Sequence, residues 1–168
     1  MPNDTNVKKK GEFFNIVLYN PQIPPNTGNI LRLCSNTNTR LHLIKPLGFE
    51  LNNKSLRRAG LDYKIDYMVY DQFRDFIESQ NKNTKKYFIS KYGNIKYSDQ
   101  KFERGDSLIF GSEINGIPKK MFNKYEFPKL FIPMKKKSRS INLSNAVSIC
   151  VYEALRQNHF FNLEKFAV

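Results

Sequence analysis

The fold is decided by the stretch IPMKKKSRSINLSNAVSICVYEALRQ, residues 132–157. Its first half sets four cations beside a dense run of small hydroxyl and amide side chains. Its second half carries apolar residues at positions i, i+3, i+4, i+7 and i+8, which are Val147, Cys150, Val151, Ala154 and Leu155. This periodicity predicts a helix whose apolar stripe faces a core.

Upstream of this helix, short apolar runs alternate with amphipathic segments. Strands are predicted over Phe14–Tyr19, Leu41–Lys45, Tyr67–Tyr70, Tyr87–Ser90, Leu108–Phe110 and Leu130–Pro133. Helices are predicted to start at Asn26 and after Asp71, which is expected to cap the second of them. This alternation indicates a single α/β domain, a parallel sheet flanked by helices. Ligands of such sheets bind beyond the carboxyl ends of the strands.

The loop Gly111–Pro118 directly follows the fifth predicted strand. Gly111 and Gly116, five residues apart, allow the backbone to approach a flat ligand closely. The spacing is that of neither a Walker loop nor a dinucleotide-binding fingerprint. Two interpretations of Glu113 stay open: it accepts a hydrogen bond from an amine or a backbone N–H, or it is a surface residue of a turn.

The polar run Ser140–Asn145 follows the sixth predicted strand and contains more donors and acceptors than one helix cap requires. Such a loop suits an adenosine or methionine moiety, with the Lys135–Lys137 run beside it for phosphates. The alternative is an ordinary cap next to a solvated charge run. The stretch Asn26–Arg32 has two interpretations as well: a helix start and an arginine that bind an anion, or an asparagine cap with a solvated arginine.

The chain of 168 residues carries 28 Lys and Arg against 15 Asp and Glu, a net charge of +13. This excess favours a polyanionic partner, because neutralised phosphates release counterions, although charge that serves only solubility explains it too. No apolar run approaches the roughly 20 residues of a membrane span. Residues 1–12 are predicted to be a disordered basic tail on a cytoplasmic protein. Neither a metal site nor a disulfide is expected, because the histidines and cysteines stand far apart, and Cys34 and Cys150 suit buried apolar positions.

Three motifs resemble, in order, the signatures of the SPOUT superfamily of RNA methyltransferases; they are Asn29–Arg32, Gly111–Pro118 and Ser140–Ala146. The longer stretches NIVLYNPQIPPNTGNILRLCSNT, LRRAGLDY, LIFGSEINGIP and that of residues 132–157 resemble its small single-domain branch. The resemblance covers roughly residues 14–157. That branch includes enzymes that methylate the ribose 2′-OH of the wobble nucleotide, a cytidine or a modified uridine, in leucine tRNAs.

The resemblance implies a C-terminal segment threaded into a deep trefoil knot, a homodimer with Tyr152 facing the partner, and S-adenosylmethionine (SAM) bound within the knot. The product is then S-adenosylhomocysteine. Residues 13–160 form the methyltransferase domain and residues 161–168 a C-terminal extension. Seven residues are implied to surround or support the cofactor: Ile89, Gly111, Glu113, Gly116, Ile132, Ser140 and Asn142. Three are implied to be catalytic, with the arginine acting on the ribose hydroxyl: Asn29, Arg32 and Ser140.

The sequence departs from the family pattern in three places, one of which is the extra N-terminal tail. Asn38 stands where a glycine is frequent, and asparagine is the next-best residue for a left-handed helix C-cap. The Lys135–Lys137 run replaces a less charged stretch. Two other functions stay open: 2′-O-methylation of another tRNA or rRNA nucleotide, and a non-catalytic RNA-binding module. A DNA-binding regulator is a weaker hypothesis, since neither a helix-turn-helix pattern nor heptads occur.

Overall fold

The protein's structure, a computed structural model, describes residues 13–52, 54 and 67–164. Within these ranges a seven-stranded sheet has the strand order β3-β2-β1-β6-β4-β7-β5. The strands are β1 (Asn15–Tyr19), β2 (Arg40–Ile44), β3 (Tyr67–Tyr70), β4 (Lys86–Ile89), β5 (Ile95–Lys96), β6 (Ser107–Phe110) and β7 (Lys129–Phe131). Every adjacent pair is parallel. The predicted parallel α/β sheet is confirmed.

Helices cover both faces of this sheet. They are α1 (Pro24–Asn36), α2 (Phe73–Ser79), α3 (Lys119–Lys124) and α4 (Leu143–Gln157), with 3-10 turns at Tyr97–Asp99 and His159–Asn162. Helices α1 and α4 contact each other and share one buried cluster with Ile16 and Leu18 of β1, whereas α2 and α3 share the other cluster with Val17. The alternation along β1 follows from the opposite directions of successive strand side chains.

The apolar stripe predicted on the last helix is confirmed. Its five residues, from Val147 to Leu155, are all fully buried. Full burial of a Val or Leu side chain contributes about 1.5–3 kcal/mol, so the stripe fixes α4 firmly against the sheet. This anchoring also fixes the beginning of α4, which lies at the carboxyl edge where a ligand is expected. The predicted burial of Cys34 and Cys150 is confirmed, and both lie in the cluster that contains the stripe. Burial raises the pKa of both thiols to about 12.

Several local predictions were wrong or incomplete. Gln72, not Asp71, caps α2, in a reciprocal capping box with Asp75, whereas the Asp71 carboxylate contacts Lys45 at 2.9 Å. Strand β5 and helix α3 were not predicted, because segments of two and six residues are too short to display a period. The left-handed position predicted for Asn38 is confirmed, with φ 48° just past α1.

The remaining predictions concern the ends and the threading of the chain. Residues 1–12, the LRRAGLDY motif and residues 165–168 lie outside the described residues. The domain boundary at residue 160 stays a prediction, and the Phe161 ring stacks on that of Phe13 at 4.4 Å. The trefoil knot also stays a prediction. Among the described helices, none is long and apolar enough to cross a membrane.

Candidate active site

A cavity of about 320 Å³ opens at the carboxyl ends of the neighbouring strands β4, β6 and β7. Its apolar walls include Ile117 and Leu143, which are both buried. The structure brings all seven residues predicted around the cofactor to the lining of this one cavity: Ile89, Gly111, Glu113, Gly116, Ile132, Ser140 and Asn142. Their roles as ligands stay predictions. The cavity lies where an open parallel sheet ordinarily binds its ligand.

Gly111 sits where no side chain fits. A Cβ atom at this position would lie 2.1 Å from the Gly116 carbonyl carbon and 2.3 Å from the Ile117 nitrogen. The loop folds back this tightly because the Gly116 N–H donates to the Ser112 carbonyl at 2.9 Å and the Asn115 N–H donates to Ser112 Oγ at 3.0 Å. The cavity wall is therefore bare backbone at this point, as the spacing of the two glycines predicted.

Gly116 is required for a different reason. Its φ is 65°, in the left-handed region that residues with a side chain seldom adopt. A Cβ at this position would have nothing within 4 Å. The constraint at Gly116 is thus one of backbone conformation, and the constraint at Gly111 is one of space.

Glu113 ties the loop to the beginning of α1. Its carboxylate accepts hydrogen bonds from the Gln22 N–H at 2.8 Å, the Ile23 N–H at 3.1 Å and Asn26 Nδ2 at 3.1 Å. Ile23 is the N-cap of α1, and its side chain cannot accept a hydrogen bond. The Glu113 carboxylate therefore supplies the acceptor that a capping side chain would ordinarily provide. A carboxylate is also favoured there by the helix dipole. Of the two interpretations of Glu113, the backbone acceptor is confirmed.

Helix α1 starts two residues before the predicted position. It begins at Pro24, with prolines in its first turn, where a missing N–H and a fixed φ are favourable. The prediction of Asn26 as the helix start was wrong because the cap comes from Glu113, far away in sequence. Asn26 is instead a buried residue that lines the cavity. It was not predicted as a site residue, although its place three residues before the first motif was a signal.

Asn26 and Asn142 complete a chain of polar contacts that joins the second and third motifs to the first turn of α1. Asn142 Nδ2 donates to Asn26 Oδ1 at 3.0 Å. Asn142 Oδ1 caps α4, accepting from the N–H groups of Ser144 at 2.9 Å and Asn145 at 3.3 Å and from the Ser144 hydroxyl. Both ends of the Asn142 amide are therefore occupied within the protein. This residue holds the third motif against the first turn of α1 while it borders the cavity.

Glu113→Gln is predicted to lower the free energy of unfolding by about 1–3 kcal/mol, the usual penalty for unpaired buried polar groups. The amide nitrogen of glutamine cannot accept from the N–H groups that the carboxylate holds. Urea unfolding measures the loss. Glu126→Gln, at an exposed position after α3, is the matched control. Equal stability of the two variants would contradict the clamp assigned to Glu113.

The predicted catalytic residues are not gathered in the cavity. Ser140 is exposed at its border, whereas Asn29 and Arg32 are exposed on α1 and absent from its lining. Arg32 follows Asn26 by six residues, which corresponds to roughly 9 Å along the helix axis. It has no ion-pair partner in the part of the chain that the structure describes. Its catalytic role stays a prediction.

Metal binding finds no support among the side chains described. Within residues 13–52, 54 and 67–164, no group of three or more His, Cys, Asp or Glu residues could hold a metal ion. The lining of the cavity instead includes isoleucines, aromatic and other apolar side chains, backbone and small polar side chains. Apolar walls with a few convergent polar groups are typical of sites for small organic ligands.

An apolar cavity at the carboxyl edge of a parallel sheet is where α/β enzymes bind nucleotide-like cofactors, and the chain is thus of the cofactor-binding α/β class. It belongs to the SpoU rRNA methylase family, whose model matches residues 14–152. This match confirms the RNA methyltransferase family that the three motifs predicted.

Relatives and solved structures agree with this assignment. The tRNA (cytidine(34)-2'-O)-methyltransferase of Escherichia coli strain K12 is 48% identical over 146 residues, which cover 85% of this chain and 92% of that protein. A structure solved for the 2-OH methylation of C/U34 on tRNA superposes with a TM-score of 0.83 at 39% identity, covering 89% of this chain and 98% of that chain. The SpoU methyltransferase AviRb from Streptomyces viridochromogenes, in complex with AdoMet, has a TM-score of 0.77 at 20% identity, covering 95% of this chain and 63% of that chain, and this likeness shows the fold alone.

Proposed function

We propose that the protein transfers a methyl group from SAM to the ribose 2′-oxygen of nucleotide 34, the wobble nucleotide, of tRNA. The observation that carries the proposal is the cavity that the second and third family motifs line, closed by the contacts of Glu113, Asn26 and Asn142. The choice of nucleotide rests on the 48% identical relative, whose name specifies cytidine 34. The net charge of +13 suits an RNA substrate.

The cavity fits SAM in its chemistry. An adenine ring needs apolar walls, which Ile89, Ile117 and Leu143 supply, and backbone groups at its edge, which the bare wall at Gly111 allows. Ser90 and Ser140 supply hydroxyl groups for a polar methionine moiety. When bound, SAM would supply the methyl group from its sulfonium sulfur, with the neutral thioether of S-adenosylhomocysteine as the leaving group. The residues of the cavity then orient the donor relative to the ribose, and orientation accounts for much of such a rate.

Arg32 is proposed to act on the RNA. A ribose hydroxyl is a poor nucleophile, so a neighbouring group must accept or redirect its proton. Guanidinium groups stay protonated in proteins, so an arginine is poorly suited to act as a general base. We propose that Arg32 holds a phosphate of the substrate and stabilises negative charge on the 2′-oxygen. Its exposure on α1, without an ion-pair partner in the described chain, leaves its guanidinium available to a bound RNA.

Four finer features belong to the same proposal. Homodimerisation is supported by the side chain of Tyr152, half-exposed on α4, an aromatic group suited to an interface. A wobble nucleotide in leucine tRNAs is proposed from the resemblance to the single-domain branch, and a cytoplasmic location suits an enzyme that modifies tRNA. The trefoil knot is proposed on the same ground.

The proposal is tested by calorimetric titration of SAM, followed by incubation of the protein with methyl-labelled SAM and purified tRNA, rRNA or DNA. We expect SAM binding and label in tRNA. Label in rRNA alone would show that the substrate is rRNA and not tRNA. SAM binding without label in any RNA would indicate a non-catalytic module, and absence of SAM binding would overturn the enzyme assignment.

A further inference from the structure

The rim of the cavity has a composition that the cofactor site does not explain. We define the rim as the turn Lys135–Arg139 together with Lys91 and Tyr92. We propose that the rim is the surface that holds the RNA strand beside the target nucleotide: lysines bind its phosphates and Tyr92 stacks on an unpaired base. This inference rests on the proposed function, because it assigns the substrate contacts of the same site.

The position of the rim follows from the cavity lining. Met134 and Ser140 both line the cavity, and all five residues between them are exposed. The segment is closed as a turn, since Ser138 donates to the Lys135 carbonyl through both its N–H and its hydroxyl. Lys91 and Tyr92 follow β4 and line the same cavity. The two segments therefore both border the cavity opening.

The cations of the rim lack the acidic partners that several other surface cations have. Lys45, Lys85, Lys96, Arg74 and Arg156 each face a carboxylate within 4 Å. Residues 135–139 include three lysines and an arginine, and none of these four has an acidic partner anywhere in the described ranges. The acidic residue of the cavity, Glu113, is occupied by its three contacts to α1 and its preceding loop. The unpaired charge is thus available to a polyanion.

Tyr92 gives the rim an affinity for bases. Its side chain is 62% exposed, a large fraction for an aromatic residue, and Lys91 Nζ lies 5.2 Å from the centroid of its ring. Proteins recognise single-stranded RNA by stacking unpaired bases on aromatic rings beside cationic groups. A tRNA anticodon loop is single-stranded, so its phosphates and its bases can both contact this rim.

The lysines are tested by replacing Lys135, Lys136 and Lys137 together with glutamine. The control replaces Lys82, Lys85 and Lys101, three exposed lysines of the loops that precede β4 and β6, at the opposite edge of the sheet. Both variants lose the same charge. We expect the rim variant to lose tRNA affinity by about tenfold or more at ~50 mM salt and the slope of log K against log salt to become shallower by about 2, roughly 0.7 for each phosphate contact. The control should match the unmodified protein, and SAM affinity should be unchanged in both.

Tyr92 is tested by a pair of substitutions. Tyr92→Ala should weaken tRNA binding roughly tenfold, the usual effect of removing one stacking ring. Tyr92→Phe, which keeps the ring, should bind tRNA as tightly as the unmodified protein. Equal tRNA affinity and salt slope in the rim and control variants would overturn the proposal. It would also be overturned if the lysine substitutions of the rim abolished binding to anionic phosphatidylserine vesicles but left tRNA affinity unchanged. If the rim variants bind tRNA as tightly as their controls while the unmodified protein still methylates tRNA, the rim proposal is wrong and the proposed function stands. If the unmodified protein binds no RNA, the rim proposal and the proposed function are both wrong.

Discussion

Gly111→Val is expected to lose SAM binding while the sheet stays folded. The added side chain would place its Cβ 2.1 Å from the Gly116 carbonyl carbon, whereas carbon atoms pack at about 3.5–4.0 Å. The loop Ser112–Ile117 must then move by more than about 1 Å, and it lines the cavity along most of its length. Displacements of that size reduce function by roughly a hundredfold. Calorimetric titration with SAM measures the effect.

Gly116→Ala is the matched control for this variant. Its Cβ meets no atom within 4 Å, so its only penalty is the positive φ of 65°, about 1–2 kcal/mol for a residue with a side chain. We expect a small loss of stability and a much smaller loss of SAM affinity than in Gly111→Val. Urea unfolding with circular dichroism separates loss of the site from loss of the fold. Equal SAM affinity in the two variants would contradict the role assigned to the bare backbone at Gly111.

Arg32→Ala is expected to lose methyl transfer while it retains SAM affinity. The side chain is exposed on α1 and does not line the cavity, so its removal leaves the cofactor site complete. Loss of a group that activates a nucleophile or stabilises its charge lowers rates by about 10²–10⁴-fold. Single-turnover transfer from labelled SAM to tRNA measures the rate, and a SAM titration is made on the same preparation.

Arg74→Ala supplies the control for the arginine variant. Arg74 is exposed on α2, on the opposite face of the sheet, and contacts Glu78 at 3.6 Å. A surface pair of this kind contributes at most about 1 kcal/mol, so transfer should be unaffected. Arg32→Lys should retain only part of the rate, because lysine cannot hold a phosphate in a bidentate manner. Equal loss of SAM affinity in Arg32→Ala and Gly111→Val would contradict the separation of cofactor and substrate roles.

The sequence predicted those parts of the fold that are governed by local patterns. The boundaries of β3 were predicted because a run of aromatic and apolar residues marks a strand there, and the buried stripe of α4 was predicted because helical periodicity extends over several residues. The position of the site was predicted as well, because two polar loops each followed a strand whose carboxyl end meets the same edge of a parallel sheet.

The contacts that hold the site together could not be predicted. Glu113 caps a helix that lies about ninety residues earlier in the chain, and Asn142 contacts Asn26 across a still longer separation. Neither contact leaves a local signal, so α1 was predicted to begin at Asn26 and the asparagine was assigned to a cap. The short elements β5 and α3 were missed for a related reason, since their positions depend on the sheet rather than on their own sequence.

The most direct test of methylation at nucleotide 34 uses two leucine tRNA transcripts that are identical except at that nucleotide. One carries the ordinary ribose and the other a 2′-deoxyribose, which lacks the hydroxyl group that is proposed to receive the methyl group. Both are incubated with the protein and methyl-labelled SAM, then digested to locate the label. We predict a 2′-O-methylated nucleoside at position 34 of the first transcript and no label in the second. Label of equal intensity in both transcripts would contradict methylation at the wobble ribose.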